Sequence, residues 1–310
     1  MIMRDFKNQH ILSARDFTRE EIDFILEIGK KMANNKYSKL LDDKIMATLF
    51  FEPSTRTRLS FESAMLRLGG KVIGFTSRDV SSVKKGESIA DTIRTVENYS
   101  DIIIIRHPLE GVARMAAKFS SIPIINGGSG SAEHPTQALL DLFTIKEECG
   151  TIDGLNIGLC GDLKYGRTVH SLAYLFSNYN INLYLISPAS LKMRFRITDW
   201  LYDKKMKFKE TEKFKEILPI LDILYMTRIQ EERFLEAEEY EKVKDVYVLT
   251  KKDLDNTKEN FRLMHPLPRV GEISPDIDKS PKAIYFKQMK YGLYLRMALL
   301  ALVLKGNNFV

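Results

Sequence analysis

Cysteines, long apolar runs and glycine-rich nucleotide motifs are scarce or absent in this sequence, and each absence excludes a class of protein. The two cysteines, Cys149 and Cys160, form no CxxC pair, which argues against a disulfide framework and a zinc site. Neither GxxxxGK[ST] nor GxGxxG occurs, so we expect no cofactor or metal. The longest apolar run, Met297–Leu304, is far below the roughly 18 residues of a membrane-spanning helix. The polar, charged start resembles no secretory segment, so we expect a soluble, cytoplasmic protein.

Basic residues outnumber acidic ones by 47 to 41, which gives a formal net charge of +6. Such a balance suits nucleic acid, an acidic surface or small anionic substrates. The lysines are spread along the chain, as on a solvated surface, so we expect neither a nucleic-acid nor a membrane partner. The placement of the arginines must therefore show what the charge is for.

The hydrophobic pattern predicts an α/β fold. After a predicted helix over Thr18–Asn35, short apolar runs alternate with amphipathic segments, which is typical of βα units and parallel sheets. The predicted strands are Ile45–Phe51, Val72–Phe75, Ile102–Ile105, Ile122–Ile125, Leu155–Cys160, Leu183–Ile186, Leu221–Met226, Phe261–Met264 and Ala283–Phe286.

The number of strands and the chain length both favour two domains, because single cores stop growing at about 250–300 residues. Ala138–Glu148 has helical spacing and is followed by Gly150, a helix stop. We predict two domains, each with a mainly parallel sheet flanked by helices, joined by this bridging helix. The expected boundaries are 1–134 for the first domain, 135–150 for the bridging helix and 151–288 for the second domain, with a C-terminal helix over 289–310 that packs back on the first.

The strongest motif, EPSTRTR at 52–58, follows the first predicted strand and precedes a predicted helix. The first turn of a helix offers unpaired amides and a positive dipole end, to which three hydroxyls and arginines add donors. The motif therefore predicts an anion site. The alternative is that Ser54 or Thr55 merely caps the helix, which would explain one hydroxyl but not the arginines.

Two further segments deliver polar side chains to the same predicted domain. Arg106 follows the isoleucine strand, where it could reach the same anion; an ordinary surface arginine is the alternative. A glycine-rich loop brings His134 to the start of the bridging helix, with Gln137 a turn further on. An imidazole at a helix N-terminus tends to stay neutral and can donate to a carbonyl. A capping histidine is the alternative.

In the second predicted domain, Arg167 and Arg228 each follow a strand. Two guanidinium groups suit a dicarboxylate, since each can bind a carboxylate through two hydrogen bonds; internal salt bridges are the alternative. Two prolines bracket Leu267. Because prolines fix the backbone and lack an N–H donor, the backbone carbonyl groups of this segment can face a ligand amine or amide. No nucleophile is evident, so a transfer between two small anionic substrates fits.

These segments together resemble the signature of the carbamoyltransferase family, from about Leu40 to the C-terminus. Within the family the chain is most similar to catalytic chains of the aspartate branch, the type that can assemble with separate regulatory chains. The ornithine branch has cysteine where this chain has Pro266, and it lacks the basic loop around Lys85. The matching segments are STRTR at 54–58, RHP at 106–108, HPTQ at 134–137 and HPLP at 265–268, with GDLKYGRTVHS at 161–171 and TRIQ at 227–230 specific to the branch.

The resemblance implies the reaction and the residue roles. Carbamoyl phosphate and L-aspartate would give N-carbamoyl-L-aspartate and phosphate, an early step of pyrimidine biosynthesis, without a covalent enzyme intermediate. The implied catalytic residues are Arg56, Thr57, Arg106 and His134. The implied carbamoyl phosphate ligands are these four together with Ser54, Thr55, Gln137, Pro266, Leu267 and Pro268. The implied aspartate ligands are Lys85, Arg167, Arg228, Gln230 and Leu267.

The resemblance also implies a homotrimer in which Ser81 and Lys85 enter the site of the neighbouring subunit. The first predicted domain would bind carbamoyl phosphate and the second aspartate. Two alternatives stay open. A related carbamoyltransferase could use ornithine or an acetylated amine, and a basic binding protein without catalysis would explain the lysines but not the arginines after four strands.

Overall fold

The computed structural model describes residues 3–34, 36–77, 82–231, 234 and 236–309. The chain divides into two compact units. Each unit is built on one sheet whose strands are all parallel, so the predicted two-sheet α/β fold is confirmed. Unit 1 consists of Met1–Phe143 and Met289–Val310, and unit 2 consists of Thr144–Gln288.

Unit 1 contains a four-stranded sheet of order β2-β1-β3-β4. Its strands are nearly continuous apolar runs, such as the four buried isoleucines of β3, because helices cover parallel sheets on both faces. The strands are β1 Ile45–Phe50, β2 Lys71–Phe75, β3 Ile102–His107 and β4 Ile124–Ser129. The helices that lie wholly in unit 1 are α1 Arg19–Met32, α2 Thr55–Arg67, α3 Ile89–Val96 and α4 Val112–Phe119.

Unit 2 contains a five-stranded sheet of order β7-β6-β5-β8-β9. Its core includes Cys160, which is fully buried as the apolar run around it predicts. The strands are β5 Asn156–Cys160, β6 Asn182–Ile186, β7 Phe208–Thr211, β8 Ile223–Met226 and β9 Arg262–Met264. The helices are α6 Arg167–Phe176, α7 Phe195–Asp203, α8 Phe214–Ile217 and α9 Ala237–Glu241.

Two long helices contain residues of both units. The chain leaves unit 1 within α5 Pro135–Cys149 and returns to it within α10 Tyr285–Lys305. The last residues of unit 1 pair with its first ones: the amide of Asn8 donates to the carbonyl of Val303 at 2.8 Å. Among the helices of the described residues, none has both the length and the apolar character to cross a membrane.

Two strand predictions differ from the structure. The predicted strand over Ala283–Phe286 is wrong, because α10 begins at Tyr285 and only an isolated bridge joins Ala283 to Leu263. Strand β7 was not predicted, because it is an edge strand of sequence FKET that buries none of its residues fully. Both segments are short, and the polarity of a short segment does not show whether it forms a strand, a helix or a loop.

The strand order places one crevice in each sheet. In unit 1 the chain order reverses between β1 and β3, and in unit 2 it reverses between β5 and β8. Ligands of open parallel sheets bind beyond the carboxyl ends of the strands at such a reversal. The EPSTRTR segment follows β1, the GDLKYGRTVHS segment follows β5, the TRIQ segment follows β8, and Arg106 lies at the end of β3. The HPTQ and HPLP segments follow β4 and β9 instead.

Candidate active site

The loop after β1 presents the start of α2 to the crevice of unit 1. Ser54 is the N-cap residue, with extended backbone at φ −157° and ψ 104°, but its side chain makes no capping hydrogen bond. The alternative in which Ser54 serves as a side-chain cap is therefore not realised. The first-turn amides of α2 have no intrahelical acceptors and carry the positive end of the helix dipole.

Thr57 and His134 connect the hydroxyl motif with the glycine-rich segment, whose residues 126–129 belong to β4 and not to a loop as predicted. The Oγ1 atom of Thr57 lies 3.2 Å from Nε2 of His134, although the two residues are 77 positions apart. Both side chains are buried, with 5% and 3% of their surface exposed. His134 directly precedes α5, whose first residue is Pro135, so the predicted position at a helix N-terminus is correct.

Arg106 lies at the other side of the same crevice, at the end of β3. Its Nη2 atom lies 2.8 Å from Oε1 of Glu52, and its Nη1 donates to the carbonyl oxygen of Gly127 at 3.3 Å. Only 12% of the Arg106 side chain is exposed. The strand pairing sets Arg106 beside Phe50, the last residue of β1. A largely buried arginine held between the loop after β1 and strand β4 is unlike an ordinary surface arginine.

Gln137 lies one turn into α5 and is also buried. Its amide nitrogen Nε2 donates to Oδ1 of Asp141 at 2.9 Å. Its backbone amide donates to the carbonyl of His134 at 3.0 Å, which is part of the first turn of the helix. Unit 1 thus holds a hydroxyl group in the first turn of α2, a guanidinium at the end of β3, an imidazole just before α5 and an amide in the first turn of α5.

In unit 2, the loops after β5 and β8 bind each other. Gly161 has φ +117°, and a Cβ there would lie 2.3 Å from the carbonyl oxygen of Thr227, so only glycine fits this close approach. The amide of Asp162 donates to Oγ1 of Thr227 at 3.2 Å, and Gln230 donates from Nε2 to Oδ2 of Asp162 at 3.3 Å. Gln230 is therefore held beside the loop that leads into α6.

Burial raises the pKa of Asp162, and hydrogen bonds from Tyr165, Gln230 and Lys164 lower it less than burial raises it. Its Oδ1 accepts from the amides of Lys164 and Tyr165 at 3.1 and 2.9 Å. These bonds shape the loop that ends at Arg167, the first residue of α6. Arg167 and Arg228 are both partly buried and follow the two strands that flank the reversal.

The loop after β9 is built around a buried histidine. The amide of Leu267 donates to Nδ1 of His265 at 2.9 Å, so the ring proton lies on Nε2, which is 2.7 Å from Oε1 of Glu272. Leu267 has φ +58°, and its peptide bond to Pro268 is cis. Because the left-handed region is uncommon for leucine, the histidine bond helps to hold this conformation.

Burial by itself would raise the pKa of Glu272, but hydrogen bonds from His265 and from the amides of Gly271 and Val270 outweigh it and lower the pKa to about 2. The carboxylate therefore stays ionised while it accepts from the ring and the backbone. The loop between His265 and Glu272 presents Pro266, Leu267 and Pro268.

Three carboxylates that the sequence did not predict bind predicted site residues: Glu52 pairs with Arg106, Asp141 accepts from Gln137, and Asp162 accepts from Gln230. A fourth, Glu272, binds His265 beside the predicted Pro266–Leu267–Pro268 segment. Asp141 follows Gln137 by four positions in a predicted helix, and that spacing is a usable signal. Glu52 and Asp162 stand inside motifs that were noted for their other residues. Nothing in the sequence pointed to Glu272.

The remaining predicted site residues differ in how far the structure describes them. Thr55 and Arg56 are exposed in the first turn of α2, and Lys85 is exposed at the end of a short 3₁₀ helix. Ser81 lies outside the described residues. Within the described part of the chain, no group of three or more His, Cys, Asp or Glu side chains could hold a metal ion.

Comparison with known proteins decides which family this arrangement belongs to. Residues 9–147 match the aspartate/ornithine carbamoyltransferase carbamoyl-P binding domain, and residues 153–303 match the Asp/Orn binding domain of the same family. The chain belongs to the aspartate/ornithine carbamoyltransferase family. The resemblance that the motifs indicated is confirmed.

Individual relatives come from the aspartate branch of the family. The aspartate carbamoyltransferase catalytic subunit of Thermococcus kodakarensis is 56% identical over 304 residues, 97% of this chain and 98% of the relative. That of Methanosarcina mazei is 52% identical over 303 residues, 96% of this chain and 98% of the relative.

Solved structures give the same result. Aspartate transcarbamoylase from Trypanosoma cruzi, in complex with carbamoyl phosphate and aspartate, superposes with a TM-score of 0.90 at 40% identity and covers 96% of both chains. The catalytic subunit of M. jannaschii aspartate transcarbamoylase has a TM-score of 0.87 at 51% identity, over 94% of this chain and 97% of that one.

Proposed function

We propose that this protein transfers the carbamoyl group of carbamoyl phosphate to the amine of L-aspartate, which gives N-carbamoyl-L-aspartate and phosphate, an early step of de novo pyrimidine biosynthesis. The observation that carries this proposal is the contact between Thr57, in the first turn of α2, and His134, with Arg106 paired to Glu52 in the loop that leads into α2. The family of the chain and the aspartate-branch identity of its relatives support it.

Unit 1 is assigned to carbamoyl phosphate. Its phosphate oxygens take hydrogen bonds from the first turn of α2 and from the guanidinium of Arg106, where the helix dipole and the cation both favour an anion. The proposed phosphate ligands are Ser54, Thr55, Arg56, Thr57 and Arg106. Thr57, Arg106 and a neutral His134 donate to the carbonyl oxygen, while Gln137 and the backbone of Pro266, Leu267 and Pro268 hold the amide end.

Unit 2 is assigned to aspartate. Arg167 and Arg228 each pair with a carboxylate, and Gln230, held by Asp162, adds a neutral hydrogen-bonding group. Leu267 and Lys85 complete the proposed aspartate site. This set disfavours the alternative acceptor ornithine, because its second amine is a cation and two arginines would repel it.

The reaction needs only positioning and charge stabilisation. The deprotonated amine of aspartate attacks the carbamoyl carbon and forms the new C–N bond, and negative charge grows on the carbonyl oxygen. The bond from that carbon to the bridging oxygen then breaks, and phosphate leaves with the electron pair and takes the amine proton. Fixed donors at the carbonyl oxygen stabilise this charge without reorganisation. No enzyme nucleophile and no cofactor takes part in these steps.

We also propose that the active unit is a cytoplasmic homotrimer in which Ser81 and Lys85 serve the site of a neighbouring subunit. The exposed position of Lys85 and the exposed leucines Leu59 and Leu66, seven residues apart on one face of α2, support an assembly. The catalytic-subunit names of the relatives support separate regulatory chains as further partners.

The direct test is incubation of the purified protein with carbamoyl phosphate and L-aspartate, followed by detection of N-carbamoyl-L-aspartate. Parallel reactions with ornithine and N-acetylornithine test the related acceptors. We expect product from carbamoyl phosphate when aspartate is the acceptor, and no product with ornithine or N-acetylornithine. Product only from ornithine would overturn the aspartate assignment, and retention on heparin without any product would favour a basic binding protein.

A further inference from the structure

The amide group of Gln137 is oriented by the carboxylate beside it. Nε2 of Gln137 donates to Oδ1 of Asp141 at 2.9 Å, and both side chains are buried, with 7% and 0% of their surface exposed. An ionised carboxylate offers acceptors only, so it can bind the NH₂ side of the amide and not the oxygen side. The oxygen Oε1 must therefore face away from this bond.

A buried cation stabilises the charge of Asp141. Arg296 of α10 is 4% exposed, donates from Nη1 to Oγ of Ser60 at 2.9 Å and lies 5.1 Å from the ring centroid of Phe61. Burial lowers the pKa of this guanidinium to about 10, and the negative charge of Asp141 opposes that shift. Arg296 is thus a cation at neutral pH, and its attraction favours the ionised form of Asp141.

We propose that Asp141 is a positioning and specificity residue: it holds the Gln137 amide so that Oε1 accepts an N–H of the carbamoyl NH₂ group. This inference rests on the proposed function, because it takes carbamoyl phosphate as the ligand of Gln137. A reversed amide would set its NH₂ group against the substrate NH₂ group, which leaves two donors facing each other.

The consequence is a preference for carbamoyl phosphate over acyl phosphates of the same shape. Acetyl phosphate has the same phosphate and carbonyl groups but a methyl group in place of the NH₂. A site with a correctly turned acceptor favours the amide substrate, because the methyl analogue leaves that buried acceptor unpaired. Acetyl transfer to aspartate gives N-acetyl-aspartate and phosphate, so both donors can be followed in one assay.

The test is the ratio of kcat/KM for carbamoyl phosphate to kcat/KM for acetyl phosphate, measured for the full-length protein and the D141N variant. The asparagine has the same shape, but its NH₂ can donate to Oε1 of Gln137 and turn the amide over. We expect the ratio to fall by about tenfold, the value of one neutral hydrogen bond, with most of the loss on carbamoyl phosphate. The matched control D23N changes an exposed aspartate of α1 and should leave the ratio unchanged.

A merely structural role of Asp141 would lower both activities equally and leave the ratio unchanged, and that result would overturn the inference. If D141N does not fold, Asp141→Ser serves instead, because a hydroxyl can donate or accept and no longer dictates the amide orientation. Q137A should lower the ratio of the two kcat/KM values as D141N does. The double variant with Q137A and D141N should lower that ratio little further. A wild-type protein without carbamoyl transfer would refute the proposed function, whereas active wild type with an unchanged ratio in D141N would refute only this inference.

Discussion

Arg106 and Glu52 form an ion pair across the crevice of unit 1, with Nη2 of the arginine 2.8 Å from Oε1 of the glutamate. Arg106 lies at the end of β3 and Glu52 follows β1, and the sheet order reverses between these two strands. The pair fixes the arginine beside the loop that leads into α2. A phosphate bound at that loop would meet a guanidinium whose position the protein has already set.

Loss of this arginine should severely reduce catalysis. Arg106→Ala removes a donor to the proposed carbonyl oxygen and phosphate, so we expect kcat to fall by about 10²–10³, the cost of one such donor. Steady-state kinetics with saturating substrates measure the loss. Arg114→Ala is the control, because Arg114 is an exposed arginine of α4 paired with Asp16 on the surface of the same unit. An equal kcat in both variants would contradict the assigned role.

The hydroxyl of Thr57 should matter more than its methyl group. Thr57→Val keeps the shape and removes the partner that lies 3.2 Å from Nε2 of His134, whereas Thr57→Ser keeps the hydroxyl. We expect the valine variant to lose about 10² or more in kcat and the serine variant to retain most of the activity. Similar activity of the two variants would show that the threonine only packs against its neighbours.

A substitution in the proposed aspartate site should change aspartate binding without changing carbamoyl phosphate binding. Arg228→Ala should weaken aspartate binding and lower the rate, because one carboxylate loses its bidentate partner, while carbamoyl phosphate binding stays largely intact. Equilibrium binding of each ligand and kinetics at varied aspartate test this. Arg196→Ala, on the exposed face of α7, is the matched control. Unchanged aspartate affinity and rate in Arg228→Ala would rule out the proposed contact.

The ionised Glu272 should make the free energy of unfolding decrease as the pH falls into the acid range. Folding lowers its pKa from 4.5 to about 2, so its carboxylate contributes stability above pH 4.5 and loses that contribution as the pH falls from 4.5 toward 2. Glu272→Gln should cost about 1.5–3 kcal/mol at pH 7, the value of hydrogen bonds to a charged group. Thermal unfolding at stepwise lower pH should show the gap between wild type and variant narrowing. A gap that stays constant down to pH 3 would argue against this linkage.

Glycine is required where the loops after β5 and β8 touch. Gly161→Ala would bring a Cβ to 2.3 Å from the carbonyl oxygen of Thr227 at φ +117°, so we expect about 3 kcal/mol or more of destabilisation and a raised KM for aspartate. Gly154→Ala is the control, since it also has positive φ, at +85°, but a Cβ there meets nothing within 4 Å. Equal melting temperatures for the two variants would contradict the steric argument.

Much of the fold could be predicted from the sequence, because buried parallel strands are continuous apolar runs. The isoleucines of β3 illustrate this, as they match a predicted strand and are buried. The run over Ala283–Phe286 misled the prediction because short apolar runs occur in buried helices as well. Strand β7 gave no signal because the edge position of Phe208–Thr211 tolerates polar side chains.

The candidate site was predictable only as far as strand ends and helix starts determine it. Arg106, Arg167 and Arg228 follow strands, and that rule located them. The contacts of these side chains depend on pairing between distant segments: Glu52 pairs with Arg106, and Thr57 contacts His134 across 77 positions. Spacing along one helix could have revealed Asp141, but no local pattern leads to Glu272.

The way the chain passes through the two units has a consequence for its synthesis. Unit 1 needs Met289–Val310 as well as Met1–Phe143, and Asn8 bonds to Val303. A ribosome therefore finishes every residue of unit 2 before it supplies the last residues of unit 1. Folding during translation usually begins with the N-terminal domain, but here unit 1, which contains Asn8, is completed only after the whole of unit 2 has been synthesised.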